Sequence, residues 1–538
     1  MDKILILDFG SQTTALIGRR IRQLGVYTEI LPGDADLSGM LSPGGTSSIR
    51  GIILSGSPES VYEPGSPAPD QVIYRCGLPL LGVCYGLQRM NFDNGGLVES
   101  MARHEYGGET VLPARGKKLP LRGTVFLKAA KLPKKGFTAW MSHGDSVARL
   151  APGFVLAAKS ASGLPAIVFH REKPWYGLQF HPEASHCENG MDILGAFVFT
   201  ACLCKKTWTM EAYIDEVTQE LRSRVGAAPV LLLVSGGVDS TVVAALLLKI
   251  LPASQVHLMY MDTGLMRKDE TVQVEAALKK SGAKNLHIIR CGDEFLSALK
   301  GKSDSEEKRK CIGDLFITIQ GREVARLGLD DSCFLAQGTL YTDLVESGRG
   351  VGKKARVIKS HHNVGSPLVD AKRGQGKIIE PLDKLYKDEV RVLGGLLGVD
   401  GEVLRRHPFP GPGLAVRIPG EVSMEKCDIL RRADAIYIDE LKKRVSKTSG
   451  KSLYDEIWQA FAVLLPVRSV GVAGDIRKYG WVLALRAVTS EDGMTADVYP
   501  FPPADLVEIS TLITNTVEEI GRVTYDVSSK PPSTIEWE

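Results

Sequence analysis

Val230-Leu231-Leu232-Leu233-Val234-Ser235-Gly236-Gly237-Val238-Asp239-Ser240 stands near the middle of a chain of 538 residues, and the apolar-rich stretch Thr241 to Leu251 follows it. A short apolar run, a glycine loop and then a helix read as a buried parallel strand that delivers a phosphate group to a helix N-terminus. The two glycines let backbone N–H groups turn toward an anion with no Cβ in the way. The hydroxyls of Ser235 and Ser240 can add donors. The common phosphate loop, G-x-x-x-x-G-K-[ST], carries a lysine that this loop lacks. A phosphate chain is therefore expected to be held in a different way.

The chain around this loop divides into three parts. Residues 1–203 alternate strands and helices, with strands expected at Ile4–Leu7, Gly51–Leu54, Leu78–Val83, Ala166–Phe169 and Tyr176–Phe180. That is the pattern of an open α/β sheet, whose sites lie at strand carboxyl ends. A polar helix is expected over Met210 to Arg224, and Gly226-Ala227-Ala228-Pro229 leads into the phosphate loop. The α/β alternation resumes with strands at Val256–Met261, Leu286–Ile289 and Phe334–Gln337, so 204–407 reads as a doubly wound parallel sheet. No helix can run through His407-Pro408-Phe409-Pro410-Gly411-Pro412-Gly413, which marks a boundary. Residues 408–538 mix a helix over Met424 to Val445 with strands around Val467–Val472 and Trp481–Val488, a smaller α+β domain. Three domains agree with length taken at ~150 residues each.

Composition sets limits on function. Hydrophobic content of 44% and 24% charged residues are ordinary for a soluble globular protein, and a net charge of +3 gives no argument for nucleic acid or an acidic membrane surface. The nine cysteines are scattered and no CxxC pair occurs, which suits free thiols in a reducing, cytoplasmic compartment. Cys202 and Cys204 suggest either a metal site or structural burial, and no second pair supports a metal. The apolar run at the N-terminus is too short for a signal peptide, and no stretch of ~18 apolar residues predicts a membrane span.

Gly82-Val83-Cys84-Tyr85-Gly86 follows a strand and has the shape of the G-x-S-x-G nucleophile elbow with cysteine in place of serine. Small flanking residues allow a sharp strand-to-helix turn that lifts Cys84 above the sheet. The following helix N-terminus favours the thiolate, and the Tyr85 N–H is available to an oxyanion. A base is needed within hydrogen-bond reach. His181 closes the strand Tyr176–Phe180, and Glu183 stands two residues on to orient it. A Cys–His–Glu triad for acyl transfer is one reading of these residues. A buried cysteine with an unrelated histidine is the other.

Gly82 to Gly86 with Gln88, together with Gln179-Phe180-His181-Pro182-Glu183, resembles the class I (triad) glutamine amidotransferases. Ser235 to Ser240 resembles the pyrophosphate loop of the N-type ATP pyrophosphatases. Their order, with Ala336-Gln337-Gly338-Thr339-Leu340-Tyr341, Ile358 to Gly365, Glu380-Pro381-Leu382, His407 to Leu414, Trp458-Gln459-Ala460-Phe461 and the end Ser529 to Glu538, is similar to the glutamine-hydrolysing GMP synthetases over essentially the whole chain.

The resemblance implies a role for each motif. Cys84 would attack the carboxamide of L-glutamine, giving a thioester and ammonia, with His181 as base and then acid and Glu183 orienting it. Gly56, Ser57, Tyr85 and Gln88 would form the oxyanion and glutamine pocket. Ser235, Gly236, Gly237, Val238, Asp239 and Ser240 would hold the pyrophosphate part of ATP with Mg2+, and Asp239 would contact the metal. XMP would be activated at its C2 oxygen as an adenylate, and ammonia would displace AMP to give GMP. Arg309, Gln459, Lys530, Thr534, Ile535 and Glu536 would contact XMP, whose phosphate requires basic donors. Lys359, His361 and His362 would belong to a lid over the adenylate, and the C-terminal domain would form a homodimer.

Some residues depart from the family pattern or invite another reading. Ser57 stands where a second glycine is usual; at a positive φ it would cost on the order of 1 kcal/mol. His361-His362 suggests a metal, but adjacent residues on an extended chain face opposite ways and no third ligand is spaced for zinc. His143 is expected in the glutamine pocket or a domain contact, and His104 and His186 at or near the surface. Phe461 to Pro466 is read as either dimer contact or core. NAD synthetases use a similar pyrophosphate loop, yet their glutaminase lacks the elbow around Cys84. An RNA-modifying pyrophosphatase would want a basic surface and usually paired cysteines. Intact Cys84, His181 and Glu183 speak against a binding protein with dead sites.

Overall fold

A computed structural model describes the chain except residues 42–47, 115–118, 330–331, 347–366, 474–475 and 491–494. Its contacts divide it into two compact units. The first holds Met1–Asp215 and takes back the chain at Leu340 for the helix Tyr341–Glu346; the second holds Glu216–Thr339 and the rest of the described chain.

The first unit is built on a nine-stranded sheet. Five neighbours run parallel: Tyr27–Pro32, Lys3–Asp8, Ile49–Leu54, Leu80–Val83 and Trp175–Leu178. Lys3–Asp8, Ile49–Leu54 and Leu80–Val83 inside this row are mostly apolar, as strands covered on both faces must be. Four antiparallel strands complete the sheet: Pro165–His170, Phe154–Ser160, Leu97–Pro113 and Phe137–Arg149. The last three of these are absent from the strands expected from sequence. Leu97–Pro113 carries Glu99, Glu105, Glu109 and Gly107-Gly108, so its pattern lacks the apolar run that marks a buried strand.

In the second unit five parallel strands run in the order Asn285–Arg290, Val256–Asp262, Val230–Val234, Phe334–Ala336, Ile378–Ile379. The chain moves one way from Val230–Val234 to its first two successors and the other way to the last two. Val230–Val234 thus borders the switch point, where open α/β sheets bind ligands. A third sheet pairs the long hairpin Gln459–Ala473 and Ile476–Thr489 with Asp497–Val498 and, in parallel, Ile520–Tyr525. The helix Met424–Lys443 packs on this sheet through Leu430, Ala433 and Tyr437. One apolar core continues from Leu231 through Phe295, Ile319, Leu414 and Leu483 to Ile520. Phe461, Ala462, Val463 and Leu464 are buried strand residues and belong to the core, whereas Leu465 is half-buried and Pro466 exposed. Cys202 and Cys204 are buried thiols, and among the described residues no cluster of three or more His, Cys, Asp and Glu could hold a metal. Among the described residues no helix is long and apolar enough to cross a membrane.

Candidate active sites

Cys84 and His181 are brought together by strand pairing. Leu80–Val83 and Trp175–Leu178 are parallel neighbours with Val83 opposite Leu178, so the residues beyond them emerge at the same sheet edge. The Cys84 N–H donates to the Leu178 carbonyl at 2.7 Å. The ladder ends at Leu178, two residues earlier than expected, and Gln179 and Phe180 carry the chain on to His181. On the other side of Leu80–Val83 lies Ile49–Leu54, which delivers Gly56 and Ser57 to the same edge.

The turn at Cys84 is a strained elbow. Its φ of 51° and ψ of −109° lie where a non-glycine residue is rare. Both glycines of the motif are demanded by contact. A Cβ on Gly82 would lie 2.6 Å from the Gly86 carbonyl carbon, and one on Gly86 would lie 2.2 Å from the Leu54 carbonyl oxygen. The helix Tyr85–Asp93 starts immediately, so the Tyr85 N–H has no preceding turn to bond. The Tyr85 side chain is structural: its hydroxyl donates to the Pro67 carbonyl at 2.6 Å.

His181 is buried, and its Nδ1 lies 2.7 Å from Glu183 Oε1. Burial opposes charge on the imidazole, but the Glu183 carboxylate and the hydrogen bonds with Cys84 and Glu183 outweigh it and raise His181 well above its ordinary value. With Nδ1 committed to Glu183, Nε2 is left for the sulfur. Thr13 Oγ1 stands 3.4 Å from the same Nδ1. A Cβ on Gly56 would meet His181 Cε1 at 3.3 Å, so the backbone at 56 closes on the imidazole. Ser57 has no positive φ, and the strain considered for it does not arise; its hydroxyl instead accepts from the Glu59 N–H at 3.1 Å.

Gln88 is buried beside the elbow, and its Nε2 donates to the Asp145 carbonyl at 2.8 Å. The segment Ser142 to Asp145 forms this wall. It is pinned by His143, whose Nε2 lies 3.1 Å from Glu105 and whose Nδ1 lies 2.9 Å from the Asp145 carbonyl. Burial lowers the His143 pKa, with Glu105 pulling the other way. His104 and His186 are exposed.

The phosphate loop folds on its own hydroxyls. Ser235 Oγ and Ser240 Oγ are 3.1 Å apart, and the Gly237 N–H donates to Ser235 Oγ at 3.3 Å. The helix Val238–Ile250 begins with no side-chain cap, which leaves its first N–H groups directed at the loop mouth. Gly236 has φ +79°, and a Cβ there would lie 2.7 Å from Val274 Cγ2. Arg406 Nη1 donates to the Gly236 carbonyl at 3.1 Å, turning that carbonyl away from an anion. Asp239 stands in the first turn of the helix. Gly338 packs against Ser240, and Thr339 Oγ1 donates to Glu380 at 2.7 Å, so the motifs that contain them meet at this edge.

A second cluster in the same unit gathers the end of the chain. Glu536 accepts from Arg417 Nη2 at 2.9 Å and from Gln459 Nε2 at 2.7 Å. Ile535 is buried with Phe461, Val463 and Ala496, and Lys530 pairs with Ala496 through backbone bonds of 2.7 and 3.0 Å. Arg486 is fully buried and donates to the carbonyls of Ser528 at 2.6 Å, Thr534 at 3.2 Å and Ile535 at 3.3 Å. Arg309 donates to the Glu538 carbonyl, and Lys308 pairs with the Glu538 carboxylate. The structure therefore brings Arg309, Gln459, Lys530, Thr534, Ile535 and Glu536 into one neighbourhood. Lys359, His361 and His362 lie outside the described residues.

Sequence reasoning missed Arg417, Arg486 and Lys308, all of them buried. Arg417 lies over the rings of Phe409 and Phe461, with its Nη1 lacking a hydrogen-bond partner. The signal for Arg417 is a cation just beyond Leu414-Ala415-Val416, the apolar run that follows the Pro/Gly segment; Lys308 and Arg486 carry none, since a lysine on a charged helix face reads as solvated.

Family models match three successive parts of the chain: glutamine amidotransferase class-I over residues 5–201, NAD synthase over 209–311, and GMP synthase C terminal domain over 446–537. The NAD synthase likeness is confined to its one stretch. The GMP synthase [glutamine-hydrolyzing] of Aquifex aeolicus (strain VF5) is 46% identical over 535 residues, 99% of each chain. Its namesake in Lactobacillus gasseri is 45% identical across 100% of this chain and 98% of that one. The one in Brucella suis is 46% identical across 100% and 99%.

Proposed function

The chain belongs to the glutamine-hydrolysing GMP synthases, and from that premise we propose that it makes GMP from XMP through the residues described above. The reading rests on one observation: Cys84 and His181 close adjacent parallel strands, with Glu183 on the imidazole.

Cys84 Sγ attacks the carboxamide carbon of glutamine as its proton passes to His181. The oxyanion is met by backbone N–H groups at Tyr85 and the Gly56–Ser57 turn. His181 then gives its proton to the departing ammonia, and the acyl group stays on sulfur as a thioester. Water, deprotonated by His181, releases glutamate and restores the thiol.

In the second reaction the C2 oxygen of XMP attacks the α-phosphorus of ATP, and pyrophosphate leaves into the loop Ser235–Ser240. The uncapped helix N-terminus and the serine hydroxyls suit a leaving pyrophosphate. Ammonia attacks C2, and AMP departs with the former C2 oxygen. Lys530, Arg309, Arg417 and Gln459 would supply donors to XMP, while Thr534, Ile535 and Glu536 line the end of its site. Lys359, His361 and His362 would close over the nucleotide.

Mg2+ fits this donor set. It is ordinarily held by one or two carboxylates plus substrate phosphates rather than by a protein cage. The loop offers Asp239 in the first helical turn, and no three-residue acidic or histidine cluster exists among the described residues. Asp239 would hold the ion, which supplies charge neutralisation on the phosphate chain.

The C-terminal domain would pair two chains. Beyond its buried part the hairpin exposes Val467, Val470, Val472 and Tyr479, so it offers an apolar surface. Sedimentation equilibrium of the full chain tests this, and a monomer at all concentrations sinks it. The scattered free thiols suit a reducing cytoplasm, which subcellular fractionation tests.

The deciding assay is GMP and AMP formation from XMP, ATP-Mg and glutamine, with ammonium replacing glutamine in parallel. Cys84→Ala should abolish the glutamine-driven reaction and keep the ammonium-driven one; loss of both would overturn its assignment as the nucleophile.

A further inference from the structure

We propose that Gln179 is a fourth catalytic side chain of the glutaminase, donating its amide N–H to the Cys84 sulfur as that sulfur becomes a thiolate. The proposal rests on the glutaminase reading given above and adds to it a donor at the nucleophile itself.

Gln179 is fully buried, and its Nε2 lies 3.8 Å from Cys84 Sγ, within hydrogen-bond range for sulfur. The direction of the amide follows from its other end. Gln88 Nε2 donates to the backbone carbonyl of Asp145 at 2.8 Å, which fixes the Gln88 amide with its NH2 inward. That NH2 also approaches Gln179 Oε1 at 3.4 Å. The carbonyl end of Gln179 therefore faces Gln88, and its N–H end faces the sulfur. A backbone carbonyl two links away thus sets the orientation of the donor.

The sulfur has a second neighbour with the opposite preference. As a thiol, Cys84 donates to the Ser142 carbonyl at 3.7 Å. That contact serves only the protonated form, because a thiolate and a carbonyl oxygen are both acceptors. When the thiol proton passes to His181, the sulfur changes from donor to acceptor. Gln179 already stands where the acceptor needs a donor, and a hydrogen bond to a charged atom is stronger than one to a neutral thiol. No reorganisation is then required at the moment of attack, which is the condition for an electrostatic contribution to rate. The proton moves from Sγ to the imidazole; nothing is oxidised or reduced and no further reactant is involved.

A purely structural role for Gln179 would be to brace Gln88 in the glutamine pocket. That role predicts a raised KM for glutamine with an unaltered nucleophile. A donor to the thiolate predicts a lower kcat and a nucleophile that ionises at higher pH.

The test uses the full-length enzyme with Gln179→Met, which keeps length and removes the donor, and Gln179→Glu, which keeps shape and faces the sulfur with oxygen. Alkylation by iodoacetamide is followed at the Cys84 peptide across pH, with Cys84→Ala as the control for assignment. We expect the pH midpoint of alkylation to rise by about one unit in Gln179→Met and by more in Gln179→Glu. Glutamine hydrolysis near neutrality should fall roughly tenfold in kcat, the rate equivalent of one such unit. Ammonium-driven GMP formation reports that each variant is folded, and a variant that loses it is set aside in favour of the other. Unmoved alkylation midpoints in the folded variants, or a change in KM alone, overturn the proposal. Failure of the glutaminase reading has its own signature: wild-type enzyme that releases no ammonia from glutamine, or keeps releasing it after Cys84 is alkylated. In that case the proposal falls with it.

Discussion

Nδ1 of His181 lies 2.7 Å from Glu183 Oε1, with both side chains buried and Pro182 alone between them in sequence. The short span works because the ladder ends at Leu178 and the chain turns at His181-Pro182-Glu183. Burial alone would hold the imidazole neutral; Glu183 and the Cys84 hydrogen bond reverse that and raise it. A histidine raised in the folded state contributes stability that is complete below its unfolded value and is lost as pH rises through the folded one. Glu183→Gln removes the opposing charge. Its deficit in urea stability against wild type should therefore be largest on the acid side of neutrality and shrink in alkali. Glutamine hydrolysis should fall at least about tenfold, as Nδ1 loses the carboxylate that orients the imidazole. A stability deficit that grows in alkali contradicts this assignment of charge.

Gly86 is held against Leu54 by the helix that follows the elbow. A methyl group there would lie 2.2 Å from a backbone oxygen, which cannot yield as a flexible side chain can. Gly86→Ala should push the helix Tyr85–Asp93 off the strand Ile49–Leu54 and cost about 1–3 kcal/mol, the range for overpacking. Cys84 rides on the N-terminus of that helix. Glutamine-driven synthesis should be lost while ammonium-driven synthesis remains, and equal loss of both rates would show that the damage is global.

The elbow was legible because its chemistry and its packing demand the same residues. Glycine at 82 and 86 and cysteine between them signal a sharp strand-to-helix turn, and the contacts require that spacing. The phosphate loop was legible for a like reason: an apolar strand, two glycines and an apolar helix leave few alternatives. The buried cations were not. Lys308 sits in Glu306-Glu307-Lys308-Arg309-Lys310, a run that reads as a solvated helix face. Yet its Nζ is buried on the carbonyls of Ala415, Ile418 and Gly420. No local pattern separates such a lysine from Lys310 two positions along the helix. The donor role of Gln179 was hidden differently. Its motif is plain in the sequence, but which way an amide points depends on Gln88 and Asp145, distant in sequence.

Asp239 lies in the first turn of the helix whose N-terminus is proposed to hold the phosphate chain, which a carboxylate there would otherwise repel. Its presence makes sense if a cation stands between them. Asp239→Ala should then abolish AMP and pyrophosphate release with ammonium as well as with glutamine. Asp239→Asn, which keeps the shape, should do the same, and excess Mg2+ should restore part of the rate in neither. Normal AMP release from either variant would remove Asp239 from the metal.

Arg417 is fully buried, and its partner carboxylate on Glu536 also accepts from Gln459. Removing one member of a buried pair leaves the other charge uncompensated, at about 3–5 kcal/mol. Glu536→Gln keeps an acceptor oxygen for Arg417, and the cation stays over the rings of Phe409 and Phe461, so the protein should stay folded with lowered stability. What changes is the charge beside the proposed XMP site. We expect the KM for XMP to rise about tenfold or more in Glu536→Gln, as for a lost charge-assisted hydrogen bond. The KM for ATP should move little. Deletion of Ile535 to Glu538 should do more, since it takes Ile535 from its apolar cluster as well as the carboxylates from Arg417 and Lys308. Arg486 would still hold the tail at Ser528 and Thr534, so Lys530 should remain near its place and some XMP-dependent rate should survive. An unchanged KM for XMP in both variants would detach the tail from the nucleotide site and leave Arg417 and Arg486 as structural anchors.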